Sequence, residues 1–244
     1  MNCWNCGTAL ELPTWWRSCP LRLLCEPCKN RMLADEQTTV RLSNLSGWTA
    51  RDILACSGQA MSMIGVPPAL QAASLDACND LPHALVEELQ RWSESPTGCF
   101  FLHGPAGAGK SWAGVGVLRA IMVSGRVRLG DARFQTEDDF KRGLRQAYDT
   151  GHGDVPTRLL PQRHARRVPL LMLDDLGATR ETSWGQEQLG GLIAERHAQR
   201  LLTIITSNLN LGDIAKAIDS RLASRIAEDG KVIGFPSRDL RLSG

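Results

Sequence analysis

The chain has 244 residues, which corresponds to roughly 1.6 domains at about 150 residues per domain. Hydrophobic residues make up 43% and charged residues 22% of the sequence, which is ordinary globular usage and excludes a disordered or fibrous chain. The net charge of +2 provides no overall field that would indicate a nucleic-acid or membrane surface as the partner. We therefore expect one full globular domain and one smaller unit.

The sequence contains no stretch that predicts a membrane span or an export signal. Its longest apolar stretches, at residues 99–102 and 169–173, are far shorter than the ~20 residues that cross a bilayer. The first four residues do not combine a basic segment with an apolar one. We expect a cytoplasmic protein, and in that compartment clustered cysteines bind metal more often than they form disulfides.

Five of the eight cysteines lie in the first 28 residues, and four of them form two pairs. Cys3 and Cys6, followed by Cys25 and Cys28, give the spacing C-x2-C-x18-C-x2-C. Two closely spaced thiolates bind one edge of a tetrahedron, and a second pair completes it without leaving a position for water. The spacing therefore predicts a structural zinc site. A redox-active pair and unrelated buried cysteines are the alternatives, and Cys19 is either a free thiol or an alternative ligand.

Residues 1–58 are predicted to form a zinc-binding N-terminal module that binds a partner, and residues 59–244 the main domain. A module this small buries little surface by itself, so bound metal has to supply much of its folding energy. Four of the seven tryptophans lie in it, at positions 4, 15, 16 and 48. They either complete a small core or, in the case of the adjacent Trp15 and Trp16, anchor a partner protein.

The predicted elements beyond the cysteines alternate between helices and short apolar strands. Helices are predicted at residues 27–37 and 49–57, and the stretch 57–68, rich in Gly, Ser, Met and Pro, is predicted to be the domain boundary. Strands are predicted at residues 99–102, 127–129 with 133–135, 168–173, 201–206 and 231–235. Further helices are predicted at residues 81–93, 110–123, 137–148, 186–199, 211–217 and 220–228. This alternation predicts a parallel α/β sheet.

A glycine-rich loop follows the first of these strands and precedes a helix. It has the pattern G-x4-G-K-[ST] and comprises Gly104, Pro105, Ala106, Gly107, Ala108, Gly109, Lys110 and Ser111. Glycines allow the backbone to wrap closely around phosphates, whose charge then lies on N–H groups and on a helix N-terminus. Lys110 is expected to neutralise the β- and γ-phosphate oxygens and the Ser111 hydroxyl to ligate Mg²⁺. We predict a nucleotide site; the alternative is a glycine-rich turn without a ligand.

Two further strands end in polar residues that suit a nucleotide site. One apolar strand leads into Asp174 and Asp175, and the next leads into Asn208. Asp174 is expected to hold Mg²⁺ through water and Asp175 to polarise the attacking water, with a helix-capping pair of acids as the alternative. Asn208 offers a donor and an acceptor together, so it can contact both the γ-phosphate and the water. Because the sequence has no Asn-Lys-x-Asp motif for reading guanine, ATP is the predicted nucleotide.

Three arginines follow these motifs. Arg221 and Arg225 lie four residues apart, which places them on one face of a predicted helix, and Arg241 lies near the C-terminus. Exposed arginine pairs are usually solvated surface. The predicted site, however, still needs a cation for the charge of the transition state, and an arginine finger supplies one.

Together these motifs resemble the AAA+ ATPases of the DnaC/IstB type, which include bacterial and phage helicase loaders and the ATPase helpers of IS21-like transposons. The resemblance runs from about residue 64 to the C-terminus. Its most specific part is the order of Thr-Ser-Asn at residues 206–208, the arginine pair, and Asp-Leu-Arg at residues 239–241. It implies an AAA+ P-loop NTPase domain with a parallel five-stranded sheet, preceded by the small zinc-binding domain.

The resemblance also implies a role for each matching residue. Asn208 resembles sensor 1 and Arg241 resembles sensor 2. Arg225 resembles the finger that acts on the ATP of a neighbouring subunit, and Arg221 is a second candidate for contact across that interface. Asp175 stands where AAA+ proteins usually have a glutamate, and its shorter side chain predicts a slow, switch-like ATPase.

Four further residues match positions that line the central DNA channel of helicase loaders, namely Arg145, Tyr148, Thr182 and Trp184. The two aromatic rings offer stacking faces for bases, and the arginine offers a phosphate contact. The alternative is that Tyr148 and Trp184 are half-buried packing residues at helix ends.

The resemblance leaves three functions open. The first is a helicase loader in DNA replication, a homo-oligomer on single-stranded DNA whose N-terminal module binds the replicative hexameric helicase. The second is a transposition helper that assembles on duplex DNA and recruits a transposase. The third is a P-loop kinase or other small-molecule phosphotransferase, which would leave the arginine pair unexplained. ATP, Mg²⁺ and Zn²⁺ are the expected cofactors.

Overall fold

A computed structural model describes residues 48, 50–55, 57–149, 165–178, 183–228, 230–237 and 239–240 of the chain. Several predictions fall outside these ranges. They are the zinc ligands Cys3, Cys6, Cys25 and Cys28, the fifth cysteine Cys19, the helix at residues 27–37, and the site residues Thr182 and Arg241. The zinc-binding module therefore stays a prediction.

Five parallel strands form one sheet in the described ranges. They are β1 (Cys99–His103), β2 (Ala132–Thr136), β3 (Leu170–Leu176), β4 (Leu202–Ser207) and β5 (Lys231–Gly234). Their order across the sheet is β2-β3-β4-β1-β5, and all four pairings are parallel. The predicted five-stranded parallel sheet is confirmed. Because parallel strands end at the same edge, the residues that follow β1, β3 and β4 lie together.

Helices surround this sheet at nearly the predicted positions. They are α1 (Ala50–Ala55), α2 (Ser57–Met63), α3 (His83–Glu94), α4 (Lys110–Val123), α5 (Glu137–Asp149), α6 (Ser183–Ala198), α7 (Leu211–Ala217) and α8 (Ser220–Glu228). Short 3₁₀ turns lie at Pro68–Leu70, Leu75–Ala77 and Leu129–Asp131. None of the helices in the described ranges is long and apolar enough to cross a membrane.

Both faces of the sheet are covered, which explains why its strands are continuously apolar. In β1, Phe100 and Leu102 are buried in one hydrophobic cluster with α3 and α4. Phe101, between them, is buried in a second cluster with α6 and α8 on the other face. Helix α4 is apolar around most of its circumference because it contacts both the sheet and α3. The packed sheet thus fixes the positions of the loops at its carboxyl edge.

Residues 57–66, which precede the first 3₁₀ turn, are packed against the sheet. Met61, Ile64 and Val66 are each at most 2% exposed. The Phe134 N–H donates to Ile64 O at 2.7 Å, so the segment also bonds to the edge strand β2. The stretch 57–68, where the sequence predicts the domain boundary, therefore contains buried apolar residues among its small ones. The division of the chain after residue 58 stays a prediction.

One of the two segments predicted for the second strand is absent from the described fold. The sequence predicts strand at residues 127–129, but β2 begins at Ala132 and a 3₁₀ turn occupies Leu129–Asp131. Val127 and Leu129 are buried in the first hydrophobic cluster, and Arg128 between them is exposed. Burial in this cluster therefore produces the alternation that resembles a strand, without any pairing to the sheet.

Candidate nucleotide site

The phosphate loop follows β1 at the carboxyl edge of the sheet and leads into α4. It borders a cavity of about 630 Å³. Its lining includes the polar residues Asp80, Lys110, Ser111, Asp175 and Asn208, together with apolar residues such as Leu81. A cavity that offers both polar contacts and an apolar wall suits a nucleotide, which has a charged and an apolar part.

Three glycines of the loop adopt backbone conformations that side chains disfavour. The φ angle is +150° at Gly104, +77° at Gly107 and +88° at Gly109. A Cβ atom on Gly104 would lie 2.9 Å from Phe235 Cβ, and one on Gly107 would lie 1.9 Å from an Asp239 carboxylate oxygen. Only glycine fits these positions. The resulting bare backbone allows phosphates to approach the N–H groups of the loop, so the residues present fit a nucleotide.

Lys110, at the start of α4, contacts both the phosphate loop and Asn208. It is only 5% exposed, and its Nζ donates to Pro105 O at 2.7 Å and to Asn208 Oδ1 at 2.8 Å. Burial and the charge of Lys110 lower the pKa of His103, which favours a neutral imidazole. The positive charge at this point of the site is therefore carried by Lys110.

Asp174 is a buried carboxylate near the end of β3, only 5% exposed. Burial raises its pKa, and the neighbouring Asp175 raises it further. Hydrogen bonds with Thr206 and Ser111 and the charge of Lys110 act in the opposite direction. A carboxylate beside a hydroxyl provides two of the hard oxygen donors that Mg²⁺ prefers. Asp174 and Ser111 therefore fit a Mg²⁺ ion.

Asp175 is exposed and lines the cavity, unlike its buried neighbour. Its φ of +58° lies in the left-handed region, which costs a residue with a side chain roughly 1 kcal/mol or more. Two hydrogen bonds hold this conformation. The Asp175 N–H donates to Thr206 Oγ1 at 3.0 Å, and Asp175 O accepts from the Ala178 N–H at 3.1 Å.

Thr206, on β4, belongs to the Thr-Ser-Asn motif, but the sequence assigns it no role in the site. It is fully buried, and its hydroxyl donates to Asp174 Oδ1 at 2.6 Å while it accepts the Asp175 N–H. One hydroxyl therefore orients both acids. Its role could have been predicted from its position on the strand that leads into Asn208. Neighbouring parallel strands bring residues near their carboxyl ends, here Thr206 and the two acids of β3, beside each other.

The C-terminal segment rests on the phosphate loop. The Leu240 N–H donates to Gly107 O at 3.0 Å, and Leu240 also lines the nucleotide cavity. Asp239 lies directly against Gly107. The contacts of these two residues bring the chain to the loop immediately before Arg241, which lies outside the described residues.

Arg221 and Arg225 lie on α8, away from this cavity. Arg225 lines a second cavity of about 490 Å³ together with Thr97, Cys99 and Thr203. These three residues lie at or near the starts of β1 and β4, so the second cavity is at the amino edge of the sheet, opposite the phosphate loop. Arg221 is exposed. The structure therefore does not bring either arginine to the nucleotide site of its own chain.

Two of the four predicted DNA contacts have described side chains. Arg145 is exposed on α5, and Trp184 is half-buried near the start of α6, where it packs against the second hydrophobic cluster. Tyr148 lies within α5. The packing of Trp184 agrees with the alternative in which its ring supports the helix end.

The described ranges contain no group of His, Cys, Asp and Glu residues arranged to hold a metal ion by themselves. Cys78 and Cys99 are free thiols, and burial raises their pKa to about 11 and about 12, respectively. A raised pKa keeps a thiol protonated and unreactive. Both residues therefore contribute to packing.

The fold and the site together define a P-loop ATPase of the AAA+ class, with a phosphate loop after β1, acids on β3 and an asparagine after β4. The chain belongs to the family described as IstB-like ATP binding protein, whose model matches residues 59–228. The predicted DnaC/IstB-type ATPase domain is thereby confirmed.

Solved structures share the fold. The chain is similar to the crystal structure of the DnaC helicase loader, with a TM-score of 0.60 and 22% identity over 70% of this chain and 100% of that one. It is similar to DnaI, with a TM-score of 0.55 and 21% identity over 71% and 93% of the two chains. It is also similar to the replication initiator DnaA bound to AMPPCP and single-stranded DNA, with a TM-score of 0.56 and 16% identity over 71% and 52%. No curated protein is a significant sequence match to this chain.

Proposed function

We propose that this chain is an ATP-dependent helicase loader in DNA replication, which oligomerises on single-stranded DNA and delivers the replicative helicase. The observation that carries the proposal is the likeness over the full length of the DnaC helicase loader chain. Likeness to DnaI and to DnaA bound to single-stranded DNA supports it. Residues 1–58, with zinc on Cys3, Cys6, Cys25 and Cys28, would bind the helicase, and residues 59–244 would form the ATPase.

ATP binding is assigned to the phosphate loop and Lys110. The Lys110 ammonium, which contacts Pro105 and Asn208 oxygens, would also contact the phosphate oxygens of ATP. Bound Mg²⁺, held by Ser111 and Asp174, would neutralise phosphate charge and orient the phosphate oxygens. The apolar wall of the cavity would hold the adenosine.

Hydrolysis is assigned to the residues beside the phosphates. The Asp175 carboxylate would accept a hydrogen bond from the attacking water and polarise it, and Asn208 would orient the water against the γ-phosphate. Arg225 would stabilise the transition-state charge in the site of a neighbouring subunit, with Arg221 beside it and Arg241 acting in the chain's own site. The position of Arg225 at the edge of the sheet opposite the phosphate loop supports its action on a second subunit.

Two substitutions separate binding from hydrolysis. Lys110→Ala is expected to abolish ATP binding, since it removes the buried cation that meets the phosphates. Asp175→Asn is expected to bind ATP with little change but to stop turnover, because a neutral amide is a poor proton acceptor. Nucleotide titration and phosphate release measure the two effects. Retained hydrolysis in Asp175→Asn would overturn the role of that residue.

Association with a helicase tests the loader function. The full chain, in ATP and Mg²⁺, is expected to co-elute with the hexameric replicative helicase of its host and to transfer it to single-stranded DNA. A Cys25→Ser/Cys28→Ser variant should lose helicase binding but keep ATP binding, because zinc belongs to the other module. A full chain that binds no helicase with or without ATP would contradict the proposal.

Transposition is the second candidate function, and the IstB-like description of the matching family favours it. Its ATP site would contain the same residues, so only the nucleic acid distinguishes the two functions. ATP-dependent filaments on duplex DNA, with little affinity for single strands, would support the transposition role and contradict the loader. In either role Arg145 and Tyr148 on α5, with Thr182 and Trp184 after β3, are the proposed DNA contacts.

A further inference from the structure

A buried ion pair lies at the start of α5, beside the two acids of β3. Glu137 is 1% exposed and Lys141 5% exposed, and the Lys141 ammonium contacts Glu137 Oε1 across one helical turn. Glu137 immediately follows β2, and the pairing of β2 with β3 places Thr136 opposite Asp174. The proposed ATPase mechanism uses neither member of the pair.

The second carboxylate oxygen of Glu137 reaches the turn that follows Asp175. Glu137 Oε2 accepts a hydrogen bond from the Gly177 N–H at 2.5 Å, although the two residues are 40 positions apart in sequence. Gly177 has a φ of +82°, and a Cβ atom there would lie 2.8 Å from Leu209 Cδ1. The turn is therefore confined by its own conformation, by Leu209 and by the Glu137 carboxylate.

Stability alone does not account for the buried pair. Removing two charges from water costs several kcal/mol per ion, and apolar residues of similar size often stabilise a core as well. Apolar residues cannot, however, accept the Gly177 N–H in a charge-assisted hydrogen bond. A comparable i,i+4 pair on the same helix, Asp138 and Arg142, lies in solvent with both side chains more than half exposed, at 55% and 56%. The buried pair thus differs from its exposed neighbour by its contact with the turn.

We propose that Glu137 is a positioning residue for ATP hydrolysis, which holds the Gly177 N–H and thereby the turn that presents Asp175 to the nucleotide cavity. The inference rests on the proposed role of Asp175. Thr206 holds the turn from β4 and Glu137 holds it from α5, so the left-handed conformation of Asp175 is fixed from two sides. Lys141 neutralises Glu137 and keeps its carboxylate in place.

Substitution of Glu137 tests this role through turnover and binding measured separately. In Glu137→Gln, an NH2 group replaces one of the two carboxylate oxygens and cannot accept a hydrogen bond from Lys141 or Gly177, so the turn shifts and kcat falls roughly 10- to 100-fold. ATP affinity, which depends on the phosphate loop, stays within about threefold of the wild type. Asp138→Asn is the matched control and should leave both values unchanged. Unchanged kcat in Glu137→Gln would overturn the proposal.

Two further variants distinguish positioning from stability. Lys141→Met removes the ammonium group beside a buried carboxylate and is expected to lower the urea midpoint of unfolding. Glu137→Met/Lys141→Met removes both charges, so the midpoint recovers, but the Gly177 N–H still lacks its acceptor and kcat stays as low as in Glu137→Gln. Recovery of wild-type kcat together with stability in the double variant would reduce the pair to a structural role and overturn the proposal.

Asp175→Asn separates this inference from the proposed mechanism. Turnover that persists in Asp175→Asn would overturn both, because Glu137 would then position a residue without a catalytic role. Loss of turnover in Asp175→Asn, combined with wild-type kcat in the Glu137 variants, would overturn the positioning role alone. The proposal expects turnover to be lost in the first variant and lowered in the second.

Discussion

At the scale of single residues, the two adjacent acids of β3 differ because their surroundings differ. Asp174 is buried among hydroxyl groups, which suits a carboxylate that holds a cation. Asp175 is turned toward the cavity by its left-handed backbone, which suits contact with water. Thr206 makes both orientations possible, because its one hydroxyl donates to the first acid and accepts the N–H of the second.

Replacement of the Thr206 hydroxyl is expected to impair hydrolysis more than binding. Thr206→Val keeps the shape but removes both hydrogen bonds, so kcat should fall about 10-fold while ATP affinity changes little. Thr206→Ser restores the hydroxyl and should restore most of kcat. Steady-state phosphate release and nucleotide titration measure these effects. A Thr206→Val variant with normal kcat would show that the acids need no such support.

Neutralisation of Asp174 is expected to stabilise the metal-free chain. Burial raises the folded-state pKa of Asp174, so the folded protein binds its proton more tightly than the unfolded chain does. The wild type therefore loses stability as pH rises from the ordinary aspartate range through the raised pKa, and Asp174→Asn does not. Urea unfolding in EDTA should show a gain for Asp174→Asn that is larger at neutral pH than at acid pH. A gain that grows toward acid pH would contradict this sign.

The polar residues of the site could be predicted from sequence only where a motif or a strand end marks them. The phosphate loop, Asp174, Asp175 and Asn208 each follow or end an apolar run, and parallel strands bring such residues together. The roles of Thr206 and Glu137 have no local signal, although Thr206 lies in a motif, because their partners lie 32 and 40 positions away in sequence. Only the register of β2, β3 and β4 reveals these contacts.

At the scale of secondary-structure elements, a buried arginine joins α6 to the sheet. Arg196 is 1% exposed, and its guanidinium donates to Ala165 O and Val168 O at 2.8 Å, to Leu202 O at 2.6 Å and to Thr203 Oγ1 at 2.9 Å. Burial lowers its pKa to about 10, which still leaves the group charged at neutral pH. One side chain therefore satisfies backbone oxygens near the starts of β3 and β4.

Arg196→Met is expected to lower the free energy of unfolding by about 3 to 5 kcal/mol, because it leaves buried carbonyl groups without donors. Arg167→Met, at an exposed position nearby, is the control and should change stability by no more than about 0.5 kcal/mol. Urea unfolding followed by circular dichroism measures both. Equal unfolding midpoints for the two variants would contradict the structural role of Arg196.

The elements themselves follow the sequence closely, with exceptions that have physical causes. The apolar alternation at residues 127–129 results from burial in the first hydrophobic cluster, so it resembles a strand without being one. The stretch 57–68 contains many loop-forming residues, yet Met61 and Ile64 belong to the core. In both cases the sequence indicates which residues are buried but not the element that they contact.

At the scale of the whole molecule, the two cavities lie at opposite edges of one sheet. The nucleotide cavity contains Lys110, Asp175 and Asn208, and the second cavity contains Arg225. A head-to-tail contact between subunits brings two different surfaces together, so it can place the arginine edge of one chain against the nucleotide edge of the next. Such a contact would complete each ATP site with a neighbour's guanidinium.

A neighbouring subunit would therefore complete each ATP site, and turnover in a mixture of two inactive variants tests this arrangement most directly. Asp175→Asn keeps Arg225 but lacks the acid, and Arg225→Ala keeps the acid but lacks the finger, so each is expected to be inactive alone. Equal mixing should restore about a quarter of wild-type turnover, because one interface type in four then combines an intact acid with an intact arginine. An inactive mixture, or Arg225→Ala that is active by itself, would contradict the account.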